Sequence, residues 1–172
     1  NGDVSSAATP SYTYENLAAT TANYTVHLVG TSVYGCTDAE TYFVHVYPEV
    51  NASFTYSEIA GCGPLEVNFQ NTSLNGNQFE WNFGDGLSAS TSNVSHTYYN
   101  INGVLNTFET ELTVTSTQGC TDSASVAIQV SPSLDLQWSM PVVEGCSPFT
   151  LQTPYMPGGS TYIWNFGDGN TS

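Results

Sequence analysis

The sequence predicts an all-β fold made of tandem antiparallel β-sandwiches, and three observations support this prediction. The first is an internal repeat that runs through the whole chain of 172 residues. The second is a series of short segments in which apolar and polar residues alternate. The third is that Gly, Pro, Asn and Ser lie between these segments, while no stretch keeps a helical period.

The repeat appears when the chain is compared with itself. Residues 1–48 superpose without a gap on residues 85–132, so that both copies contain the stretch Gly-Cys-Thr-Asp. The motif Gly-Cys-x-Pro at residues 61–64 recurs at residues 145–148. Trp-Asn-Phe-Gly-Asp-Gly begins at Trp81 and recurs from Trp164. One repeat therefore contains about 84 residues.

Module boundaries are expected at Pro48 and Pro132, because proline ends a strand and cannot donate to a ladder. This division gives the back half of module one (residues 1–48), a complete module two (49–132) and the front half of module three (133–172). Two explanations fit these half modules. Either the array continues in a longer protein, or neighbouring chains complete the half modules.

The strands of module two follow from period-2 alternation. Residues 65–71 place Leu, Val and Phe on one face, and residues 79–83, 108–115 and 124–130 alternate in the same way after a first strand at 52–57. Each large apolar side chain that becomes buried contributes roughly 1.5–3 kcal/mol. The residues that we expect in the cores are Trp81, Phe83, Tyr98, Leu112 and Val114, together with Trp164 and Phe166 of module three.

The sequence around Trp81 resembles the PKD domain (polycystic kidney disease repeat). The chain has Trp-Asn-Phe-Gly-Asp-Gly, His-Thr-Tyr at residues 96–98 and Glu-Leu-Thr-Val-Thr at residues 111–115. The family signature is W-D-F-G-D-G, then H-T-Y and a Y-x-V-x-L-x-V strand. The chain departs from this signature at Asn82, Tyr12 and Asn1, which replace Asp, His and Asp.

The cysteine motifs are similar to those of PKD arrays in very large bacterial surface proteins, including secreted adhesins of gliding bacteria. This resemblance implies an immunoglobulin-like fold and a spacer or adhesive role. It also implies that the modules are not enzymes. The residues agree, because no nucleophile elbow is present and a small repeated sandwich leaves little room for a cleft.

The charge balance excludes other classes of function. The chain has no Lys or Arg against 15 Asp and Glu, which gives a net charge of −15. Without cations it cannot neutralise nucleic-acid phosphates, and binding to anionic lipid is disfavoured. No apolar run reaches the roughly 20 residues of a membrane span, so we expect no membrane insertion.

The acidic turns at Asp85 and Asp168 have two interpretations. Asp is a Ca²⁺ ligand, but Ca²⁺ needs six to eight oxygens and few other carboxylates are near in sequence. We favour a tight turn, in which glycine allows positive φ and Asp bonds its own backbone. Ca²⁺ is the one candidate cofactor. His27, His45 and His96 lie on different strands, so we expect no metal cluster and assign His96 to anchoring a turn.

The four cysteines are periodic and lack zinc-site spacing, which indicates disulfides and an oxidising compartment. We predict a Cys62–Cys120 bond within module two, worth about 4 kcal/mol, with Cys36 and Cys146 paired outside this stretch. A strand count places the two loops at opposite ends of the sandwich. One alternative is therefore a bond across a junction, from the early Cys of one module to the late Cys of the next, and the other is that the cysteines are free thiols.

Six positions are candidates for glycosylation. The alternative for each is an unmodified surface residue. Five are Asn-x-Ser/Thr sequons, and the sixth resembles a bacterial Asp-Ser-Ala O-glycosylation site. These positions are Asn23, Asn51, Asn71, Asn93, Asn170 and Ser123.

We expect a non-enzymatic structural or adhesive segment of a long extracellular protein, either secreted or at the cell surface. Its expected partners are neighbouring repeats of the same protein, with surface glycans or other filaments as further candidates. One alternative function is an accessory carbohydrate- or protein-binding spacer of a secreted hydrolase. The other is a self-assembling filament subunit whose modules are completed between chains.

Overall fold

A computed structural model describes residues 2–134, 143–153 and 161–169. In these ranges every regular element is a β-strand, and no helix is long and apolar enough to cross a membrane. The ten strands are β1 (Ala22–Thr31), β2 (Thr37–Val46), β3 (Phe54–Tyr56), β4 (Ala60–Cys62), β5 (Leu65–Asn71), β6 (Gln78–Asn82), β7 (Ser88–Ala89), β8 (Val94–Tyr98), β9 (Asn106–Thr115) and β10 (Thr121–Ser131).

Strands β3 to β10 form two sheets within module two. One sheet has the order β4-β10-β9-β6-β7 and the other has the order β3-β5-β8. Neighbouring strands are antiparallel except for β4 and β10, which are parallel. The predicted all-β antiparallel sandwich is confirmed.

The core lies between the two sheets, around Trp81. The Trp81 indole is fully buried, with ring centroids 5.0 Å from Phe54 and 5.4 Å from Phe69. Its Nε1 donates a hydrogen bond to the carbonyl oxygen of Thr91 at 2.9 Å. Alternate residues of both sheets, together with Val50 and Phe83 outside the strands, form the buried set, which contains Val50, Leu65, Val67, Phe69, Trp81, Phe83, Tyr98, Leu112, Val114, Ile128 and Val130.

Strands β1 and β2 form a hairpin outside this sandwich. It has the same register as β9 and β10, because Ala22 pairs with Val46 as Asn106 pairs with Val130. Several of its apolar side chains are nevertheless exposed: Leu28 is 62% exposed, whereas its equivalent Leu112 is fully buried. No second sheet covers this hairpin in the part of the chain that the structure describes.

The aromatic residues predicted for the core of module three are only partly covered in the described residues. Trp164 is half-buried and its ring stacks at 6.3 Å from Phe166, but Phe166 is 51% exposed. The equivalent Phe83 is only 2% exposed because β9 and β10 complete its sandwich. The place of Trp164 and Phe166 in the core of a complete module stays a prediction.

Gly84 and Gly86 give a matched test of the turn between β6 and β7. Both have positive φ, +76° and +93°, which strains any side chain. A Cβ on Gly84 would lie 2.6 Å from the carbonyl oxygen of Glu109, whereas a Cβ on Gly86 would meet nothing within 4 Å. We expect Gly86→Ala to cost about 1 kcal/mol from φ strain alone and Gly84→Ala about 3 kcal/mol. Chemical denaturation measures both, and equal losses would contradict the close backbone approach.

Candidate functional site

The acidic turn of module two lies between β6 and β7 and is held by its own backbone. Asn82 Oδ1 accepts the Gly84 N–H at 2.9 Å, and Asp85 Oδ1 accepts the Leu87 N–H at 3.0 Å. In module three, Asn165 Oδ1 accepts the Gly167 N–H at 2.9 Å. The equivalent asparagine and glycine therefore form the same bond in both modules.

His96 connects this turn to the core. Its Nε2 lies 2.8 Å from Asp85 Oδ2, which forms an ion pair whenever the imidazole is protonated. The His96 ring stacks on Phe83 at 3.9 Å with an angle of 2° between the planes, and meets Tyr98 edge-on at 4.6 Å. Tyr98 in turn hydrogen-bonds Thr110 inside the core. The turn, the histidine and the core thus form one connected unit.

The contacts of Asp85 fit the turn interpretation. Its two carboxylate oxygens already bond Leu87 and His96. In the described ranges, no three His, Cys, Asp or Glu side chains come together as a metal site would require. His27 and His45 bond Thr41 and Asn23 on the hairpin. Ca²⁺ binding at Asp85 and Asp168 stays a prediction.

A buried asparagine organises the end of module two from which the chain leaves, which we call the exit end. Asn100 is 2% exposed, and its Nδ2 donates to the carbonyl oxygens of Val104 at 2.7 Å and Val130 at 2.6 Å. Its Oδ1 accepts the Asn102 N–H at 3.1 Å, and its own carbonyl oxygen accepts the Ser133 N–H at 3.1 Å. One residue therefore joins the loop, the end of β10 and the following linker.

Asn16 repeats this arrangement at the equivalent place in module one. Its Nδ2 donates to Thr20 at 2.9 Å and to Val46 at 2.7 Å, and its carbonyl oxygen accepts the Glu49 N–H at 3.2 Å. Sequence reasoning missed both asparagines. The available signal was the ungapped superposition, which places Asn16 on Asn100 two residues after an aligned tyrosine.

The other end of module two, which we call the entry end, holds the incoming chain from a second side. Asn75 Nδ2 donates to the carbonyl oxygen of Glu49 at 2.7 Å, and Asp122 Oδ2 accepts the Ala52 N–H at 2.7 Å. Glu49 is thus fixed through its N–H by Asn16 and through its C=O by Asn75. The junction residues therefore position the incoming chain.

Comparison with known proteins identifies the family. The family model of the PKD domain matches residues 45–131, which is half of the chain and contains all of strands β3 to β10. The chain belongs to the PKD domain family. PKD domains are typically non-catalytic modules, and they occur in secreted or extracellular proteins.

Solved structures similar to the chain include two PKD domains and one carbohydrate-binding protein. The PKD1 domain of the Vibrio cholerae metalloprotease PrtV is 26% identical with a TM-score of 0.40, and the match covers 48% of this chain and 98% of that one. The PKD1 domain of Vibrio anguillarum Epp is 25% identical with a TM-score of 0.40, with coverages of 49% and 95%.

The third structure comes from a study of carbohydrate-binding modules of the β-sandwich superfamily and their promiscuous specificity. It is 25% identical with a TM-score of 0.45, and the match covers 52% of this chain and 37% of that one. The PKD-containing chain therefore spans a little over a third of that protein's length. Among curated proteins, no match was found.

The predicted Cys62–Cys120 disulfide of the PKD module is wrong. Cys62 pairs with Ser131 at the end of β10, whereas Cys120 immediately precedes the first residue of the same 11-residue strand. A strand of that length separates them by roughly 35 Å, and a disulfide requires Cα atoms within about 7 Å. Neither Cys62 nor Cys120 is bonded, and Cys36 and Cys146 are also free thiols in the structure. A bond across a junction stays a prediction.

The glycosylation candidates on the PKD module and its neighbours are mostly at the surface. Asn23, Asn51, Asn93 and Ser123 are exposed, and Asn71 is half-buried. Asn93 Oδ1 accepts the backbone N–H of Asn71 at 2.9 Å, and Asn71 Oδ1 accepts the Ser73 N–H at 2.9 Å, so both side chains have structural contacts. Asn170 lies outside the described residues. Modification at any of them stays a prediction.

Asn100 gives a direct test of the exit end. In Asn100→Asp, a carboxylate replaces the amide that donates to two carbonyl oxygens, which leaves both acceptors opposite negative charge. We expect a loss of about 3 kcal/mol in the free energy of unfolding. The matched control Asn102→Asp adds the same charge to an exposed residue of the same loop and is expected to change stability by at most about 0.5 kcal/mol. Chemical denaturation measures the free energy of unfolding of both variants. Equal losses would refute the role of the Asn100 amide at the exit end.

Tyr98 gives a test by pH. Burial raises the pKa of Tyr98 from 10.0 to about 12, the Thr110 hydrogen bond lowers it and the charge of Asp85 raises it. The fold therefore favours the neutral phenol, while the unfolded chain releases this proton near its ordinary pKa. The contribution of the neutral phenol to the free energy of unfolding is fully present below pH 10. It is lost as the pH rises towards 12, which lowers the stability by an amount on the order of 2 kcal/mol.

We expect Tyr98→Phe to flatten this decline, since phenylalanine has no proton to lose. At neutral pH we expect the same variant to lose about 1 kcal/mol in the free energy of unfolding, because it lacks the hydrogen bond to Thr110. Tyr99→Phe changes the neighbouring tyrosine, which is 70% exposed, and is expected to keep the wild-type decline. Denaturation curves across this pH range measure all three proteins. A Tyr98→Phe curve that falls as steeply as the wild-type curve would rule out the assignment.

Proposed function

We propose that this chain is a load-bearing segment of a long extracellular protein, in which PKD modules follow one another in line. In this proposal residues 49–132 form one complete module, and residues 1–48 and 133–172 belong to its neighbours. The parent protein is an adhesin-like array of the type found on gliding bacteria. The single observation that carries the proposal is that the chain enters and leaves module two at opposite ends.

Strand β10 spans the distance between these two ends. The entry end contains Ala52, whose N–H bonds Asp122 at the start of β10, and the exit end follows Ser131 at its finish. The strand is 11 residues long, which corresponds to roughly 36 Å. Tension applied through the two linkers therefore acts along the whole sandwich.

The parallel pair β4–β10 lies directly in this load path. Gln129 donates its N–H to Ile59 at 2.7 Å, and Gly63 donates to Ser131 at 2.9 Å. Pulling the entry end one way and the exit end the other slides β4 along β10. These hydrogen bonds lie across the pulling direction, so they resist together rather than open one after another.

The surface chemistry supports exposure outside the cell. The net charge of −15 makes modules repel one another, although salt screens this repulsion beyond about 8 Å. A trypsin-like protease finds no Lys or Arg to cleave after. Without Lys and Arg, the fold is held by packing and hydrogen bonds, as the Trp81 core and the Asn100 contacts illustrate.

The aromatic surface favours a spacer over an accessory glycan-binding arm. A flat row of exposed aromatic rings is the feature expected of a sugar-binding face. In the described part of module two, the exposed aromatic side chains are Tyr56 on β3 and Tyr99 in the loop after β8. They stand on different elements of the sandwich, so this module does not present such a row.

Force spectroscopy tests the load-bearing role. The full chain is held through attachment points at Glu49 and Pro132 and is expected to unfold at high force because β4 and β10 are sheared. With both attachment points at the exit end, Gly103 and Ser131, the strands are peeled apart and a lower force is expected. Equal forces in the two geometries would contradict the proposal.

A backbone variant isolates the contribution of the parallel pair. Gln129→Pro removes the N–H that bonds Ile59, whereas Gln129→Ala keeps it and changes only an exposed side chain. We expect Gln129→Pro to lower the end-to-end unfolding force and Gln129→Ala to leave it unchanged. Circular dichroism confirms that each variant is folded before it is pulled.

A further inference from the structure

We infer that the junction between modules one and two is a locked joint and not a flexible linker, and that the side chain of Asn75 is its lock. The joint consists of residues 47–52. It holds hairpin β1–β2 in one orientation relative to module two, so Asn75 is a positioning residue. The inference concerns the contacts at this junction alone, so it goes beyond the proposed mechanical function and does not depend on it.

Glu49 is the point at which both modules hold the same residue. Its N–H donates to the carbonyl oxygen of Asn16 in module one at 3.2 Å, and its carbonyl oxygen accepts Asn75 Nδ2 of module two at 2.7 Å. Two backbone torsions lie between these groups. A rotation of one module against the other at Glu49 therefore breaks one of the two bonds. Pro48 restricts the chain further, because its ring fixes φ at about −65°.

The linker after Glu49 is bound to module two residue by residue. Val50 is 5% exposed and lies in the core. The N–H and the carbonyl oxygen of Asn51 both bond Leu74, at 3.1 Å and 2.9 Å. The N–H of Ala52 donates to Asp122 Oδ2 at 2.7 Å. Module two thus holds each of these linker residues, so none of them is free to act as a hinge.

Asn75 is placed for this role by a tight turn against the core. Its φ is +62°, a left-handed conformation that asparagine adopts more readily than most residues. Gly76 packs so closely on Val114 that a Cβ at this glycine would clash with the valine side chain. The Asn77 N–H donates to the carbonyl oxygen of Thr115 at 3.0 Å. The core therefore fixes the backbone that carries the Asn75 amide.

The second junction shows that this lock is not a general feature of the repeat. The first contact recurs there, because the Ser133 N–H donates to the carbonyl oxygen of Asn100 at 3.1 Å. The residue six positions before the tryptophan of each Trp-Asn-Phe motif is Asn75 in module two and Gly158 in module three. Glycine has no side-chain amide and cannot make the second contact. Asn75 therefore distinguishes the first junction from the second.

Residual dipolar couplings, measured by NMR on the 172-residue chain, test the joint. If it is locked, one alignment tensor fits the amide couplings of hairpin β1–β2 and of module two. We expect Asn75→Gly to reduce the couplings of the hairpin relative to those of module two. This variant removes the amide, while glycine accepts the positive φ of the turn without strain.

Asn77→Gly is the matched control. It removes an exposed amide from the same loop and keeps the backbone N–H that bonds Thr115. We expect one tensor to fit this variant, as it fits the wild type.

Amide hydrogen exchange adds a readout that a purely local role of Asn75 would not change. The Glu49 N–H bonds Asn16 and not Asn75, so its exchange rate reports whether the two bonds at Glu49 open together. We expect Asn75→Gly to speed the exchange of this N–H about fivefold, which is the effect of losing one hydrogen bond of ordinary strength. Asn77→Gly is expected to leave the rate unchanged.

Three results would overturn the inference. The first is a wild-type chain whose hairpin and module two need separate alignment tensors. The second is an Asn75→Gly variant that keeps the wild-type hairpin couplings, and the third is equal exchange of the Glu49 N–H in the two variants. None of these results changes the unfolding forces expected for module two, so the proposed mechanical function is tested separately.

Discussion

The structure depends on one constraint, which is that Trp81 is buried only when the two halves of the repeat close on each other. The front half contributes Phe54 and Phe69, whose rings pack against the indole, and the back half contributes the β9–β10 face that contains Leu112. Because the chain has no Lys or Arg, no salt bridge from these residues adds to the stability that this packing provides. Burial of each large side chain, worth roughly 1.5–3 kcal/mol, therefore carries the stability.

The same constraint explains why two hairpins with one register differ so much in exposure. Hairpin β9–β10 is covered by a front half and buries Leu112, whereas among the described residues no front half covers hairpin β1–β2, and Leu28 is exposed. The local bonds around Asn16 and Asn100 are nevertheless alike in both places. The ends of a module thus form from local sequence, while the core requires both halves.

Sequence reasoning predicted what depends on period and repeat. Alternation in residues 65–71 matches the bounds of β5, and β6, β9 and β10 lie within a few residues of their predicted positions. The short strands β4 and β7 were missed because two or three residues are too few to show a period. Asn100 was missed because a buried asparagine looks like any loop asparagine until its acceptors are known.

The cysteine pairing failed for a different reason. The predicted bond joined Cys62 and Cys120 within one module. These two residues lie at opposite ends of the sandwich, as the strand count already indicated. The distance between the two sulfur-bearing residues is decided by the strand pairing, which places Cys62 beside Ser131. The spacing of the cysteines in the sequence does not show this pairing.

Intrinsic fluorescence of residues 49–132 as an isolated fragment tests the central claim most directly, because Trp81 is the single tryptophan of that fragment. If the two halves of one repeat suffice to enclose the indole, the emission is that of a buried ring and shifts to longer wavelength in one cooperative denaturant transition. Emission typical of water-exposed indole in buffer, with no transition, would show that the repeat does not form its own core.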